Sequence, residues 1–311
     1  LEIITYLLDV FPSAVSNGLV EKDNVIMVAY LLHYACYNKD CPGAVIKLLL
    51  ERNPSALEKL CIVEKGINDS WYEDVNGLPL HYYLSRNKNV NIDIVKSLIE
   101  AYPTSLKISD EENACLPLHA LFHNESTDNL QEIITYLIEL EPSSIRMLDR
   151  YGYTPLHLAC MNSNMNLEIF QLIYNARPEA IQLRDDDGDL PIHYLCDNED
   201  LDGTASIDIL RFMLEIDPTL PREVGDGGSL PIHLAVQYKS SAFCNILIDA
   251  YPESLRIELN GRLPIHIACI GKRDDAADKI QYMLELDPEL INEENSDGYL
   301  PIHWAAMYGR T

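Results

Sequence analysis

The sequence predicts an all-α solenoid of stacked helix-turn-helix-loop repeats with projecting turns, and three observations predict it. First, a Leu/Thr-Pro-Leu/Ile-His core places His81, His119, His157, His193, His233, His266 and His303 at intervals of 33 to 40 residues, with a degenerate copy at His33. Such a period signals stacked supersecondary units rather than one globular core. Second, a further Pro recurs at a similar period, at Pro12, Pro54, Pro103, Pro142, Pro178, Pro218, Pro252 and Pro288, so that 15 of the 17 prolines belong to one mark or the other. Third, the stretch before the later Pro is periodic. Leu130, Ile133, Ile134, Leu137 and Ile138 fall at helical spacing, as do Phe243, Ile246, Leu247 and Ala250.

Each element follows from these marks. The first helix of a repeat opens at Pro-Leu/Ile-His, because Pro fits the first helical turn. The second helix ends before the later Pro, because the residue preceding a Pro leaves the helical region. Between the two lie polar segments of unequal length, such as 86–91, 123–129, 197–206 and 271–275, which absorb the variation in period. Before each first helix comes an Asp/Asn/Gly cluster, as in 185–188, 226–228 and 297–298. These residues tolerate positive φ and predict turns that project as fingers. A single helix pair cannot bury its apolar face, so neighbouring repeats must cover it, at roughly 25 cal/mol per Å² of apolar surface.

The copies divide residues 1–311 into a single array. It comprises a partial repeat 1–21, a degenerate repeat 22–70, repeats 71–109, 110–148, 149–184, 185–224, 225–256 and 257–294, and a partial repeat 295–311. Glu2 to Leu7 with Pro12 matches Glu132 to Leu137 with Pro142 at one constant offset, so the chain begins inside a repeat. It stops just after a first helix. An array needs polar caps at both ends, and a fragment of a longer protein is therefore expected.

Composition narrows the function. Asp plus Glu outnumber Lys plus Arg by 49 to 23, for a net charge of −26, and this field repels a phosphate backbone. Nucleic acid is excluded as a partner. A basic protein segment fits the field, although acidity also serves solubility alone. The longest apolar run, Val25 to Tyr37, is too short to span a bilayer, and no signal peptide begins the chain. Cys36, Cys160, Cys196 and Cys269 each stand three residues after a repeat histidine, which reads as a small apolar filler in a reducing compartment. An intracellular, cytoplasmic location is expected.

Four His-x-x-Cys pairs offer zinc-competent types, but helices packed about 8–10 Å apart cannot share an ion whose ligands lie about 2.0–2.3 Å from it. Asn198, Asp200, Asp202 and Gly203 resemble the opening of a calcium loop, yet the twelfth position is Ile209 where a bidentate Glu is required. No metal site and no cofactor are expected. Nucleophile-elbow, zinc-protease, phosphate-loop and dinucleotide motifs are all missing from the sequence, and the chain reads as non-enzymatic.

The stretch from Asp149 to Cys160 resembles the opening of the ankyrin repeat family, through Asp149, Gly152, Thr154, Pro155, Leu156, His157 and Ala159. The resemblance covers essentially the whole chain. It implies an L-shaped unit stacked into a curved array that binds another protein on its concave face of turns and first helices. Carried over residue by residue, the binding positions it implies are Arg150, Tyr151, Tyr153 and Asn162; Asp186, Asp187, Asp189 and Asp197; Ser229 and Tyr238; and Tyr299 and Tyr308. The expected partner is a protein with a basic segment. The competing reading is a targeting module of a larger enzyme whose catalytic domain lies outside these residues.

Two departures mark a divergent subtype. The later Pro stands where the family usually has Gly-Ala-Asp, and six copies replace the Thr by Leu, at Leu78, Leu116, Leu190, Leu230, Leu263 and Leu300. A Leu cannot accept a backbone N–H at the N-cap, a loss of roughly 0.5–2 kcal/mol per helix where nothing compensates. The histidine stands at the third helical position, from which an acceptor nitrogen can reach back to the N-cap N–H.

Overall fold

In the computed structural model the described residues are 5, 32–33, 35–52, 54 and 57, followed by 77–308 without 89, 111–112, 125–128, 202 and 272. The expected partial repeat 1–21, except for Thr5, and most of the degenerate repeat 22–70 lie outside them. So does most of the Val25–Tyr37 run.

The described residues form helices with one isolated bridge, Leu259 to Arg262. The chain divides into two compact units, Leu1–Pro155 and Leu156–Thr311. The first holds α1 (Gly43–Arg52), the pair α2 (Pro79–Arg86) and α3 (Ile92–Ala101), and the pair α4 (Pro117–Phe122) and α5 (Leu130–Leu140). Helix α6 (Pro155–Met161) straddles the boundary. The second unit continues with α7 (Leu167–Ala176), the pairs α8 (Pro191–Asp197) and α9 (Thr204–Ile216), α10 (Pro231–Tyr238) and α11 (Ser241–Ala250), α12 (Pro264–Ala268) and α13 (Ala276–Leu286), and then α14 (Pro301–Met307).

Stacking is like on like within each unit. In the first, α2 packs on α4, α1 on α3 and α3 on α5; in the second, α8, α10, α12 and α14 pack in succession, as do α7, α9, α11 and α13. Leu130, Ile133, Ile134 and Leu137 are buried as the periodicity predicts. In α11 the buried face is Phe243, Cys244, Leu247 and Ile248, whereas Ile246 and Ala250 are only half-buried. The expected face was rotated by one position, because Cys244 packs as an apolar residue and helps to set the stripe.

Second helices stop two residues before the later Pro. The intervening residue leaves the helical region, as at Tyr102 (φ −146°, ψ 77°) and Tyr251 (φ −148°, ψ 77°). Rather than simply ending the helix, the Pro then opens a short 3₁₀ turn, Pro103–Lys107, Pro178–Gln182, Pro252–Arg256 and Pro288–Asn292. Leu106, Ile181 and Leu255 within these turns are buried.

Two ladders of polar contacts tie neighbouring helix pairs together. At the N-terminus of the first helices, imidazole Nδ1 accepts the N-cap N–H that the Leu side chain cannot serve. The distances are 3.3 Å for Leu116 to His119, 3.0 Å for Leu190 to His193, 3.0 Å for Leu230 to His233, 3.2 Å for Leu263 to His266 and 2.9 Å for Leu300 to His303. Because Nδ1 accepts, the proton sits on Nε2, which donates to a carbonyl of the segment leading to the next pair. His119 reaches Met147 O at 3.3 Å, His193 reaches Glu223 O at 3.1 Å, His233 reaches Ile257 O at 2.9 Å and His266 reaches Glu293 O at 3.1 Å.

At the other end of the first helices, an Asn or Lys reaches back to the preceding pair. Asn87 Nδ2 donates to Asn38 O and Cys41 O, Asn124 Nδ2 to Leu84 O and Asn87 O, both at 2.8 Å, and Asn198 Nδ2 to Cys160 O at 3.0 Å. Lys239, wholly buried, donates to Asn198 O and Leu201 O, and Lys279 donates to Val236 O at 3.2 Å. These side chains satisfy carbonyls that the short first helices leave unpaired.

Both ladders generate predictions. Removing a ladder side chain orphans buried carbonyls, so Asn124→Ala and Lys239→Met should each cost roughly 2–4 kcal/mol in denaturant unfolding. A loss within the error of wild type would show that solvent replaces the contact. Burial holds His119 and His157 down at about 4 against an ordinary 6.5, while their hydrogen bonds to Met147 and Asp189 carbonyls pull the other way. The unfolded chain therefore takes up protons near pH 6.5 that the folded chain refuses until about 4. Stability should be complete above that range and fall as pH drops through it, and a thermal midpoint that stays flat from pH 7 to 4.5 would contradict this.

Candidate functional site

The projecting turns are organised by one buried side chain each. Asp149 Oδ1 accepts from the backbone N–H of Tyr151 and Tyr153, both at 2.9 Å. Asp185 Oδ1 accepts from Asp187 at 3.0 Å and Asp189 at 2.9 Å, and Asn295 Oδ1 accepts from Asp297 at 3.1 Å and Tyr299 at 2.7 Å. A glycine completes the reversal, with φ of 78° at Gly152 and 95° at Gly188. In the next turn Gly225 replaces the organising Asp. A Cβ there would lie 1.9 Å from Asp189 Oδ1, because the Asp189 carboxylate fills that space and accepts from Asp226 N–H at 3.0 Å. Asp189 thus closes a second turn, which a lone solvated carboxylate would not do.

The expected binding residues divide between the units. Arg150, Tyr151 and Tyr153 belong to the first. Arg150 and Tyr151 project, Tyr151 being 50 % exposed, and the half-buried Tyr153 ring lies 5.7 Å from the Tyr151 ring. In the second unit Asp186, Asp187 and Asp197 are exposed, and Asp189 and Tyr238 are half-buried. Burial raises the pKa of Asp197, and Asp189 and Glu199 raise it further while Lys239 opposes them. Burial also raises Tyr238, aided by Asp197 and Glu199. The structure therefore brings Asp189, Asp197, Glu199 and Tyr238 into one acidic neighbourhood. Tyr299 (42 % exposed) and Tyr308 (52 %) flank Trp304, with ring centroids 6.2 and 5.9 Å away.

Two expected surface positions are not on the surface. Asn162 is 2 % exposed; its Oδ1 accepts from Asn164 N–H at 2.9 Å, and it stands in the register of the ladder residues Asn124 and Asn198. Ser229 is 7 % exposed, because its own carbonyl and N–H close the short turn onto Gly225 and Asp226. Conversely, the half-buried Arg262 and the buried Trp304 lie beside the exposed Tyr299 and Tyr308, and neither is among the expected binding residues. Their signal was the register of Arg262 two residues before Pro264 and the rarity of Trp, of which the chain has two.

The residues that suggested catalysis or metal binding are engaged elsewhere. Imidazole nitrogens of His119, His193, His233 and His266 serve the backbone at both ends of the ring. Burial pushes the Cys269 thiol up to about 11 and raises Cys36, Cys160 and Cys196 well above the ordinary thiol value, against the thiolate that a nucleophile or zinc ligand requires. Within the calcium-like loop, Asn198 and Leu201 carbonyls accept from Lys239, so an ammonium stands on those oxygens, and Asp202 lies outside the described residues. Among the described residues no group of three or more His, Cys, Asp or Glu side chains could hold a metal ion, and no helix is long and apolar enough to cross a membrane.

Comparison with known proteins places this architecture. A sequence profile described as "Ankyrin repeats (3 copies)" matches residues 80–182, 122–222 and 232–311. Among solved structures, the ankyrin repeat domain of Bcl-3, a member of the IkappaB protein family, is similar at 18 % identity and a TM-score of 0.49, covering 73 % of this chain and 93 % of that one. A chain in the structure of the predatory endopeptidase Bd0816 from Bdellovibrio bacteriovorus in complex with immunity protein Bd3460 is similar at 14 % identity and a TM-score of 0.45, covering 57 % of this chain and 85 % of that one. No curated protein matches. The profile, which spans well over half of the sequence with the Pro-Leu/Ile-His register intact, carries the assignment: the chain belongs to the ankyrin repeat family, whose repeats are protein–protein interaction modules.

Proposed function

We propose that this chain is a non-enzymatic intracellular scaffold that holds a partner protein on the turns and first helices of its second unit, and that the partner presents a basic segment there. One observation carries the reading. Asp186, Asp187, Asp197 and Glu199 are exposed and make no ion pair among the described residues, while Asp189 and Glu199 disfavour the charged form of Asp197. A partner Lys or Arg would relieve that repulsion, and Tyr238 beside it supplies an apolar contact with a polar tip. Lys239, the cation that acts on Asp197, is committed to backbone carbonyls, and Arg184 beside Asp186 and Asp187 is committed to the Gly188 carbonyl and to Glu223. The buried thiols support a reducing compartment, and the backbone-bound imidazoles support the absence of catalysis.

The test uses a fluorescein-labelled Lys/Arg-rich peptide followed by anisotropy. A triple variant Asp186→Ser, Asp187→Ser, Asp197→Asn should bind about tenfold more weakly at low salt, since exposed pairs contribute about 0.2–1 kcal/mol each. The difference should shrink as salt rises. Equal binding by both proteins would remove the acidic site. Asp189 is left unchanged because its loss would also open the α10 turn.

A further inference from the structure

Beyond one basic segment, we infer that the partner is bipolar, carrying Lys or Arg where it crosses the turn before α8 and a carboxylate where it crosses the turn before α12, the carboxylate being held by Arg262 against Trp304. This deepens the function proposed above and rests on it.

The inference starts from register. Asp189, Ser229, Arg262 and Tyr299 each stand two residues before the Pro of α8, α10, α12 and α14. These first helices pack in succession, so equivalent positions form a row. Along that row the charge reverses, from the acidic neighbourhood at α8 to a guanidinium at α12.

Arg262 differs from Arg177, Arg184, Arg256 and Arg273 of this unit, each of which has a carboxylate partner, and shares with Arg222 the stacking of its guanidinium on an aromatic ring. Arg184 pairs with Glu223 at 2.6 Å, and Arg256 pairs with Asp287 at 2.6 Å and with Glu293. Among the described residues Arg262 has no carboxylate partner although the chain carries 49 acidic residues, and its guanidinium carbon lies 4.3 Å from the Trp304 ring centroid instead. Stacking occupies the face of a guanidinium and leaves its N–H edges for a bidentate acceptor.

The position is also held in place. A two-residue turn with φ of 51° at Asn260 and 72° at Gly261 closes Leu259 onto Arg262 with paired backbone hydrogen bonds of 2.9 and 3.0 Å. Trp304 is buried and its indole Nε1 lacks an acceptor, while the exposed Tyr299 and Tyr308 stand on either side. The polar atoms gathered here, guanidinium, indole N–H and tyrosine hydroxyls, can all donate, and Trp, Tyr and Arg are the residues that dominate binding hot spots. An acidic side chain fits them; a second Lys would meet Arg262.

Spacing follows from the stack. Two steps between first helices span about 20 Å at roughly 10 Å each, which an extended segment covers in about six residues. The reversed charges fix the direction in which that segment runs.

The test selects a displayed random 12-residue peptide library on the full chain, on Arg262→Glu and on Arg262→Gln, with thermal unfolding as a check that all three fold alike. Wild type should enrich peptides with Lys/Arg separated from Asp/Glu by about six residues. Arg262→Glu should keep the basic end and exchange the acidic end for Lys or Arg, and Arg262→Gln should keep the basic end and lose the acidic one. Basic peptides without an acidic end, or the same acidic end from all three proteins, would overturn the inference and leave the proposed function standing. Failure of wild type to enrich any basic peptide would overturn both.

Discussion

A neutral imidazole bonded at both nitrogens is the contact on which the rest of this structure depends. Its Nδ1 closes the N-terminus of a first helix, and its Nε2–H reaches the segment that leads to the next helix pair. One side chain thereby caps a helix and fixes the distance to its neighbour. This explains how the copies at Leu116, Leu190, Leu230, Leu263 and Leu300 can carry Leu where the family motif has Thr: the capping function moved from the N-cap to the third helical position. It also explains why these histidines are buried, since a charged ring would have no acceptor at Nδ1 and would break the bond to the Leu N–H.

The Asn and Lys contacts at the opposite end complete the logic. First helices of five to eight residues cannot satisfy their own last carbonyls, so the following pair supplies a donor. Where the connecting segment lengthens, as between α8 and α9, the longer arm of Lys239 replaces Asn and reaches two carbonyls. With histidine, cysteine, asparagine and lysine engaged in holding pairs together, the side chains left for recognition are those on the turn tips and on the exposed side of the first helices. There the second unit presents carboxylates before α8 and within its last turn, and an aromatic-backed arginine before α12.

Much of the fold was legible because it is written locally. Pro at the first turn, the apolar stripe of Leu130 to Leu137 and the Asp/Gly turns each follow from residues within a few positions of one another. The histidine cap was legible for the same reason, since His119 and Leu116 are three residues apart. What escaped depends on partners 24 to 43 residues away: His233 reaching Ile257, Lys279 reaching Val236, and Asp189 filling the space above Gly225. The burial of Asn162 is not legible in the sequence, because position in a first-helix segment does not reveal which side chains turn inward. Arg262 and Trp304 escaped because they meet across two turns and only their meeting makes them a site.

The protonation pattern of the ladder tests this account most directly. Long-range proton–nitrogen correlation spectra of the ¹⁵N-labelled histidine rings at pH 7 separate the two neutral tautomers from each other and from the charged ring. His119, His193, His233 and His266 should each show an unprotonated Nδ1 and a protonated Nε2, and His119 should keep this form as the pH falls to about 5. The opposite tautomer, or rings that charge near pH 6.5, would mean that these histidines neither cap their helices nor bridge to the next pair.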